Sequence, residues 1–160
     1  MNLYFLGTGT SQGIPIIGSD HPVCRSTDSK DKRLRVSVWV SWDNYSYVID
    51  CGPDFRQQML SSNCQKIDGI LFTHEHADHT ACLDDILPFN FRQGEIPIFA
   101  HQRVIDNLKQ RFDYVFETII HRNSRVAEAP MSHTPVALYD VTSKGAVNFF
   151  NLAEEFLRRN

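Results

Sequence analysis

The sequence has no apolar run approaching the roughly 20 residues that span a bilayer, so no membrane-spanning helix is expected. It has no basic excess. The formal charge is -3, which argues against broad electrostatic binding of nucleic acid. It has no CxxC pair, because the four cysteines, Cys24, Cys51, Cys64 and Cys82, are scattered. The start, Met1-Asn2-Leu3-Tyr4-Phe5-Leu6-Gly7, has no basic n-region and no long apolar h-region, and reads as a mature strand rather than a signal peptide. Together these absences predict a cytoplasmic protein with reduced thiols. Repeats, low-complexity tracts and linkers are also missing, and 160 residues suit one domain with a real core, so a single domain over 1–160 is expected.

What is present is a mixture of periodicities. Leu3 to Leu6 is a short apolar run that stops at the permissive Gly7–Pro15 loop, a phosphate-approaching loop or a plain turn. Val36 to Trp42 alternates, with Val36, Val38 and Val40 on one face and Ser37, Trp39 and Ser41 on the other. Asp43-Asn44 is a turn signal, and Tyr45 to Ile49 returns, giving a hairpin. Asp54 is placed to cap a helix to about Leu60. Ile67 to Phe72 reads as a central strand, His79 to Leu87 as a helix ended or kinked by Pro88, Ile96 to Ala100 as a strand and Val104 to Phe112 as a helix. Beyond Glu117, strands are expected at Thr118–Ile120, Val136–Val141 and Ala146–Phe150, and a helix from Asn151 to Arg159. The fold class that results is mixed α/β (α+β) with layered helices and sheet.

Within this framework His74-Glu75-His76-Ala77-Asp78-His79 stands apart. It packs three imidazoles and an aspartate into six positions just after an apolar strand. Imidazole and carboxylate are ligands for zinc, manganese and related divalent ions. Alternation places His74 and His76 on one ion, with Asp78 and His79 facing a second. Paired ions acidify a shared water and stabilise attacking and leaving oxygens, which is hydrolytic chemistry at a phosphoryl or acyl centre. Asp78 is the expected catalytic residue, positioning or deprotonating the water as well as binding metal. Four ligands do not close two sites, so further donors are required.

The H-x-H-x-D-H pattern after a strand resembles the metallo-β-lactamase superfamily. The segments Phe5–Pro15, Asp31–Ser37, Ile49–Phe55 and Leu83–Ile86 are similar to one branch of it. That branch holds the cyclic phosphodiesterase of phosphonate degradation, with ribonuclease Z as a neighbour. The resemblance runs from residue 1 to about 117, leaving 118–160 as an atypical tail. It implies an αββα sandwich whose second half is incomplete, two divalent ions (Zn2+ or Mn2+) and phosphodiester hydrolysis. His74, His76, Asp78 and His79 carry over as metal ligands. His133 is the candidate for the next histidine, and no histidine follows it. For the bridging carboxylate Asp140 is a candidate in the wrong surroundings, while Asn151, an amide, lies nearer the expected place.

The expected function is therefore a metal-dependent phosphodiesterase acting on a small cyclic phosphate ester. The alternative is a non-catalytic metal-binding or interaction remnant of the fold. A tRNA 3′-processing nuclease is less favoured, since the chain is acidic overall and has no long basic arm. An uncovered apolar sheet face also predicts a homodimer.

Overall fold

The hairpin forms as its alternation predicts. β2 (Ser37–Trp42) and β3 (Tyr45–Ile49) pair antiparallel, and Asp43 takes φ 48° at the turn. β1 (Asn2–Gly7) adds antiparallel to β2. β4 (Gly69–Phe72) and β5 (Ile98–Ala100) add parallel on the other side of β3, giving one five-stranded sheet in the order β1-β2-β3-β4-β5. The computed structural model describes residues 1–112 and 115–159. These fall into two compact units, Met1–Asn107 and Leu108–Asn160, and the first holds the whole sheet. The mixed α/β class stands; among the described residues the second sheet of a sandwich is not present.

The two faces of the sheet differ. Register places Tyr4, Trp39, Val48 and Ile70 on one face, where Val48 and Ile70 are fully buried. The helices α2 (Phe55–Ser62) and α4 (Leu87–Gln93) bury Phe55, Met59 and Phe89, and this core stabilises the unit by about 2 kcal/mol per buried side chain. Gln93 clamps the start of β4: its Oε1 accepts from the Ile67 N–H at 3.2 Å and its Nε2 donates to the Ile67 carbonyl. The valine-rich face of the hairpin is the other one. Ser37 and Trp39 lie on the helix-covered side.

Asp54 precedes α2 but does not cap it with its side chain. Its carboxylate accepts from the Arg35 backbone N–H and from Arg35 Nη1, both at 2.8 Å. Arg35 Nε then donates to the Ser11 carbonyl at 2.8 Å, and paired backbone bonds join Ile14 to Arg33. The Gly7–Pro15 loop is held by these contacts with the 33–35 segment.

Several expectations are corrected. The helix foreseen over His79–Leu87 is three pieces: α3 (Ala77–Thr80), a 3-10 turn (Leu83–Ile86) and α4. Pro88 opens α4 instead of ending a helix, because a proline in the first turn forfeits no internal hydrogen bond. The other helices of the first unit are α1 (Pro22–Arg25) and α5 (Gln102–Arg111), whose sequence continues into the second.

The second unit is helical, with α6 (Ser124–Glu128), α7 (Val136–Tyr139) and α8 (Lys144–Arg159). Residues 118–120 belong to no strand, Val136–Tyr139 is α7, and Ala146–Phe150 lies inside α8. The expected cap Asn151 is mid-helix. The start is marked instead by Ser143, whose Oγ accepts from the Ala146 N–H at 3.1 Å. No glycine or proline interrupts 146–159, so the helix propagates through the short apolar run that looked like a strand.

Glu155 is the buried charge of this unit. Its carboxylate accepts from the backbone N–H groups of Glu117 and Thr118, each at 2.7 Å, and pairs with Arg159 at 2.7 Å. Burial pushes the carboxyl up, but the hydrogen bonds from Thr118 and Glu117 and the Arg159 charge outweigh it and hold it at about 2. A depressed carboxylate stabilises the fold above its unfolded value and loses that contribution as pH falls through the folded one. Stability measured by thermal unfolding should therefore drop between about pH 4.5 and about pH 2. A Glu155→Gln variant, less stable at neutral pH, should show a flatter profile across that window. An equal slope in both proteins would remove Glu155 as the cause.

Candidate metal centre

The site is built where two parallel strands end side by side. β3 runs into Asp50, and β4 runs into Thr73. The Asp50 N–H donates to the Leu71 carbonyl at 2.9 Å, which holds the two ends together. Asp50 is buried and takes the left-handed φ of 56°. That turn aims its carboxylate across to the 73–79 loop. Oδ1 accepts from the Thr73 N–H at 2.8 Å, and Oδ2 accepts from Thr73 Oγ1 at 2.7 Å. Oδ2 also lies 2.9 Å from His79 Nδ1.

These bonds set the tautomers. The Asp50 carboxylate only accepts, so His79 carries a hydrogen on Nδ1, and in the neutral ring Nε2, which faces Asp78, is the nitrogen left for a metal. Thr73 spends its one hydroxyl hydrogen on Asp50 and therefore accepts from His74 Nδ1 at 2.9 Å, which leaves His74 Nε2 free in the same way. A carboxylate behind a histidine is the usual support of a metal-binding imidazole. The remaining geometry fits this reading. His79 Nε2 stands 3.2 Å from Asp78 Oδ2. Neighbouring ligands on a tetrahedral ion with bonds near 2.0–2.1 Å are spaced by about 3.3 Å.

The loop's rings adjoin one another. The His74 ring centroid is 3.9 Å from that of His79 and 4.8 Å from that of His76. The structure thus brings together His74, His76, Asp78 and His79. Glu75 does not join them; it pairs with Arg103 at 3.3 Å. His133 is placed in the second unit, exposed, with φ 49° at the end of the Ala129–Ser132 turn. Among the described residues no group of three or more His, Cys, Asp or Glu is gathered to hold one ion. His74 and His79 are each oriented by a hydrogen bond, and the four side chains are not closed into a cage.

The 50–52 segment buttresses the loop from below. The Cys51 N–H donates to the His79 carbonyl at 2.8 Å, and the Cys82 N–H donates to the Cys51 carbonyl at 3.1 Å. Gly52 lies so close that a Cβ there would stand 1.9 Å from the Asp78 carbonyl oxygen. Only glycine fits at that approach. Cys51 and Cys82 are joined in a disulfide with a Cα–Cα distance of 5.3 Å, and both are fully buried. This corrects the expectation of four reduced thiols. The pairing is tertiary, across 31 residues, and follows from the backbone bonds that stack the two segments.

Asp50 is the candidate site residue that the sequence reading did not single out, although it lies in the family-like Ile49–Phe55 segment. Its signal was an acidic residue at a strand terminus with a His-rich loop at the next.

Comparison with known proteins follows the same lines. A family profile described as beta-lactamase superfamily domain matches residues 45–149. An octanoyltransferase from Porphyromonas gingivalis is 43% identical over 117 residues, 72% of this chain and 24% of that protein. A solved structure described as a new diphosphatase from the PhnP family is 44% identical, with TM-score 0.67, covering 71% of this chain and 46% of the other. Zn(2+)-bound PqqB from Methylobacterium extorquens shares the fold at 22% identity and TM-score 0.58, covering 69% of this chain and 40% of the other. The chain therefore spans about a quarter of the octanoyltransferase and under half of the two solved chains.

Two outcomes test this arrangement. Under denaturing conditions without reductant, thiol titration should find two free cysteines, Cys24 and Cys64, and four after reduction. In the native protein Cys24 should react first, since burial pushes the Cys64 thiol up. Four thiols before reduction would remove the disulfide. Asp50→Asn, which keeps the shape and loses the charge, should weaken divalent-metal binding by about 10–100-fold in a competition titration. Unchanged affinity would show that Asp50 does not orient a ligand.

Proposed function

The chain belongs to the metallo-β-lactamase superfamily, a fold family of mostly hydrolytic enzymes, and from that premise we propose that its 74–79 loop serves divalent-metal-dependent hydrolysis of a small phosphodiester. The observation that carries this reading is His79, with Nδ1 on the Asp50 carboxylate and Nε2 at ligand spacing from Asp78. His74, His76, Asp78 and His79 would hold the ions, with His133 as a further candidate. Two zinc or manganese ions there would supply Lewis acidity and a water acidic enough to react near neutral pH. Asp50 and Thr73 hold the imidazoles of His79 and His74 in one tautomer. Asp78 is half-buried beside His79, where its carboxylate can accept a proton from a water or fix that water's direction. The likeness to a diphosphatase favours a phosphoryl centre over an acyl one. A cyclic phosphate ester is the substrate class that the sequence resemblance adds, and the expected setting remains cytoplasmic. No described helix is long and apolar enough to cross a membrane.

A second reading is a metal-binding or interaction module without turnover. It is favoured by the absence, among the described residues, of three donors gathered on one ion.

Metal content and turnover separate the two. The first reading expects two ions per chain and hydrolysis of bis(p-nitrophenyl) phosphate or a 2′,3′-cyclic nucleotide. Asp78→Ala should then lower kcat by at least about 100-fold. One ion or fewer, with no turnover in added zinc or manganese, would leave only the second reading.

A further inference from the structure

The pairing of Cys51 with Cys82 closes β4 and the 73–79 loop into one covalent ring. Both cysteines are fully buried. Their backbones are bonded into the loop as well. The Cys51 N–H donates to the His79 carbonyl at 2.8 Å, and the Cys82 N–H donates to the Cys51 carbonyl at 3.1 Å. On one side of Cys51 stands Asp50, whose Oδ2 lies 2.9 Å from His79 Nδ1. On the other stands Gly52, where a Cβ would meet the Asp78 carbonyl oxygen at 1.9 Å. Residues 50–52 therefore have no slack against 78–79, and a displacement of one segment is a displacement of the other. Disulfide staples belong chiefly to domains too small to build a core. This unit has one, from Val48 and Phe55 to Ile70 and Phe89. In a compartment that keeps thiols reduced, a disulfide is usually transient and redox-sensing.

We propose that the Cys51–Cys82 pair is a redox switch on the 74–79 loop: its reduction by a dithiol lowers the loop's affinity for a divalent ion. This rests on the reading of that loop as a metal site. In the step, a thiolate of the reductant attacks one sulfur of the disulfide, and the other sulfur leaves as a thiolate and takes up a proton. The reductant's second thiol then resolves the mixed disulfide. The dithiol ends as a disulfide, having passed two electrons and two protons to Cys51 and Cys82. The consequence is steric. Two thiol sulfurs rest at van der Waals contact, and they need more room than two sulfurs held by a bond. A close-packed interior transmits that demand to the backbone of 50–52 or 79–82. The contacts of Asp50, Cys51 and Gly52 carry it on to His79 and Asp78. Linkage runs both ways. An ion that binds the oxidised form more tightly opposes reduction by the same factor. Because both sulfurs are buried, a reductant reaches them only when the loop opens, and a bound ion holds the loop shut.

The test is manganese binding to the oxidised protein and to the same protein reduced with a water-soluble phosphine, read as free Mn2+ by electron paramagnetic resonance. Manganese is the probe because it favours oxygen ligands over thiolate, so the freed cysteines do not compete for it. Reduction should raise the dissociation constant about 10-fold, the lower end of what losing the support behind a ligand costs. Reoxidation should restore it, with the far-ultraviolet circular dichroism unchanged throughout. Saturating manganese should slow the reduction. Cys24→Ser should respond as the wild type does, and Cys82→Ala should keep the weaker affinity with or without the phosphine. Equal affinity in the two redox states would overturn the switch and leave the metal reading standing. No manganese binding in either state would also overturn it, and zinc binding by the same protein then decides whether the metal reading falls with it. Reduction that unfolds the chain would overturn it too, since the disulfide would then be a staple. So would a protein isolated without reductant in which all four cysteines are free.

Discussion

The carboxylate of Asp50 is the constraint on which the site depends. It accepts three hydrogen bonds, from the Thr73 N–H, Thr73 Oγ1 and His79 Nδ1. Reaching them requires φ of 56° at a residue with a side chain, which costs about 1–2 kcal/mol. Hydrogen bonds to a charged group contribute about 1.5–3 kcal/mol each, so the bonds prevail over the strained backbone. The same turn puts the Cys51 N–H on His79 and Gly52 against Asp78. One buried side chain thereby sets two tautomers, the path of the next two residues and the seat of α3.

The sheet makes that convergence possible by changing direction at β3. β1, β2 and β3 form an antiparallel meander and contribute a platform. From β3 to β4 the pairing is parallel, so both chains exit on the same edge, and Asp50 and Thr73 meet there. Sites at the carboxyl ends of parallel strands arise for this reason: consecutive loops open onto one side while the strands stay buried. Arg103, at the start of α5 just after β5, ties down Glu75 from that same edge.

The sequence carried the local parts of this well. The hairpin from Ser37 to Ile49 and the central β4 were legible because alternation and apolar runs are short-range signals. So was the histidine loop, since four potential metal ligands rarely fall within six positions by chance. Contacts made by residues far apart were not legible. Asp54 looked like a cap and proved to be the partner of Arg35. Asp50 was not singled out and stands against His79 Nδ1. Which face of the hairpin the helices cover was not legible either, because alternation gives two faces without saying which is buried, and here the valine face of β2 is the open one. Ala146–Phe150 was read as a strand because a five-residue, largely apolar segment has no period of its own, and the helix shows only with its flanks.

Asp50, Thr73, Cys51, Gly52, Cys82 and Arg103, which touch the loop, all lie within Met1–Asn107. Orientation of the ligands is therefore a local property of the sheet and its first connections. Completion of a coordination sphere is not, since His74, His76, Asp78 and His79 would leave positions on two ions for other donors, waters or substrate oxygens to fill. The H-x-H-x-D-H pattern reports the first property alone. A carboxylate behind an imidazole narrows the range of directions in which a fifth or sixth donor can arrive, and it does so before that donor is present. Preorganisation of this kind lowers the entropy lost on binding metal. It explains how a short loop can keep a firm chemical bias whatever supplies the rest of the sphere.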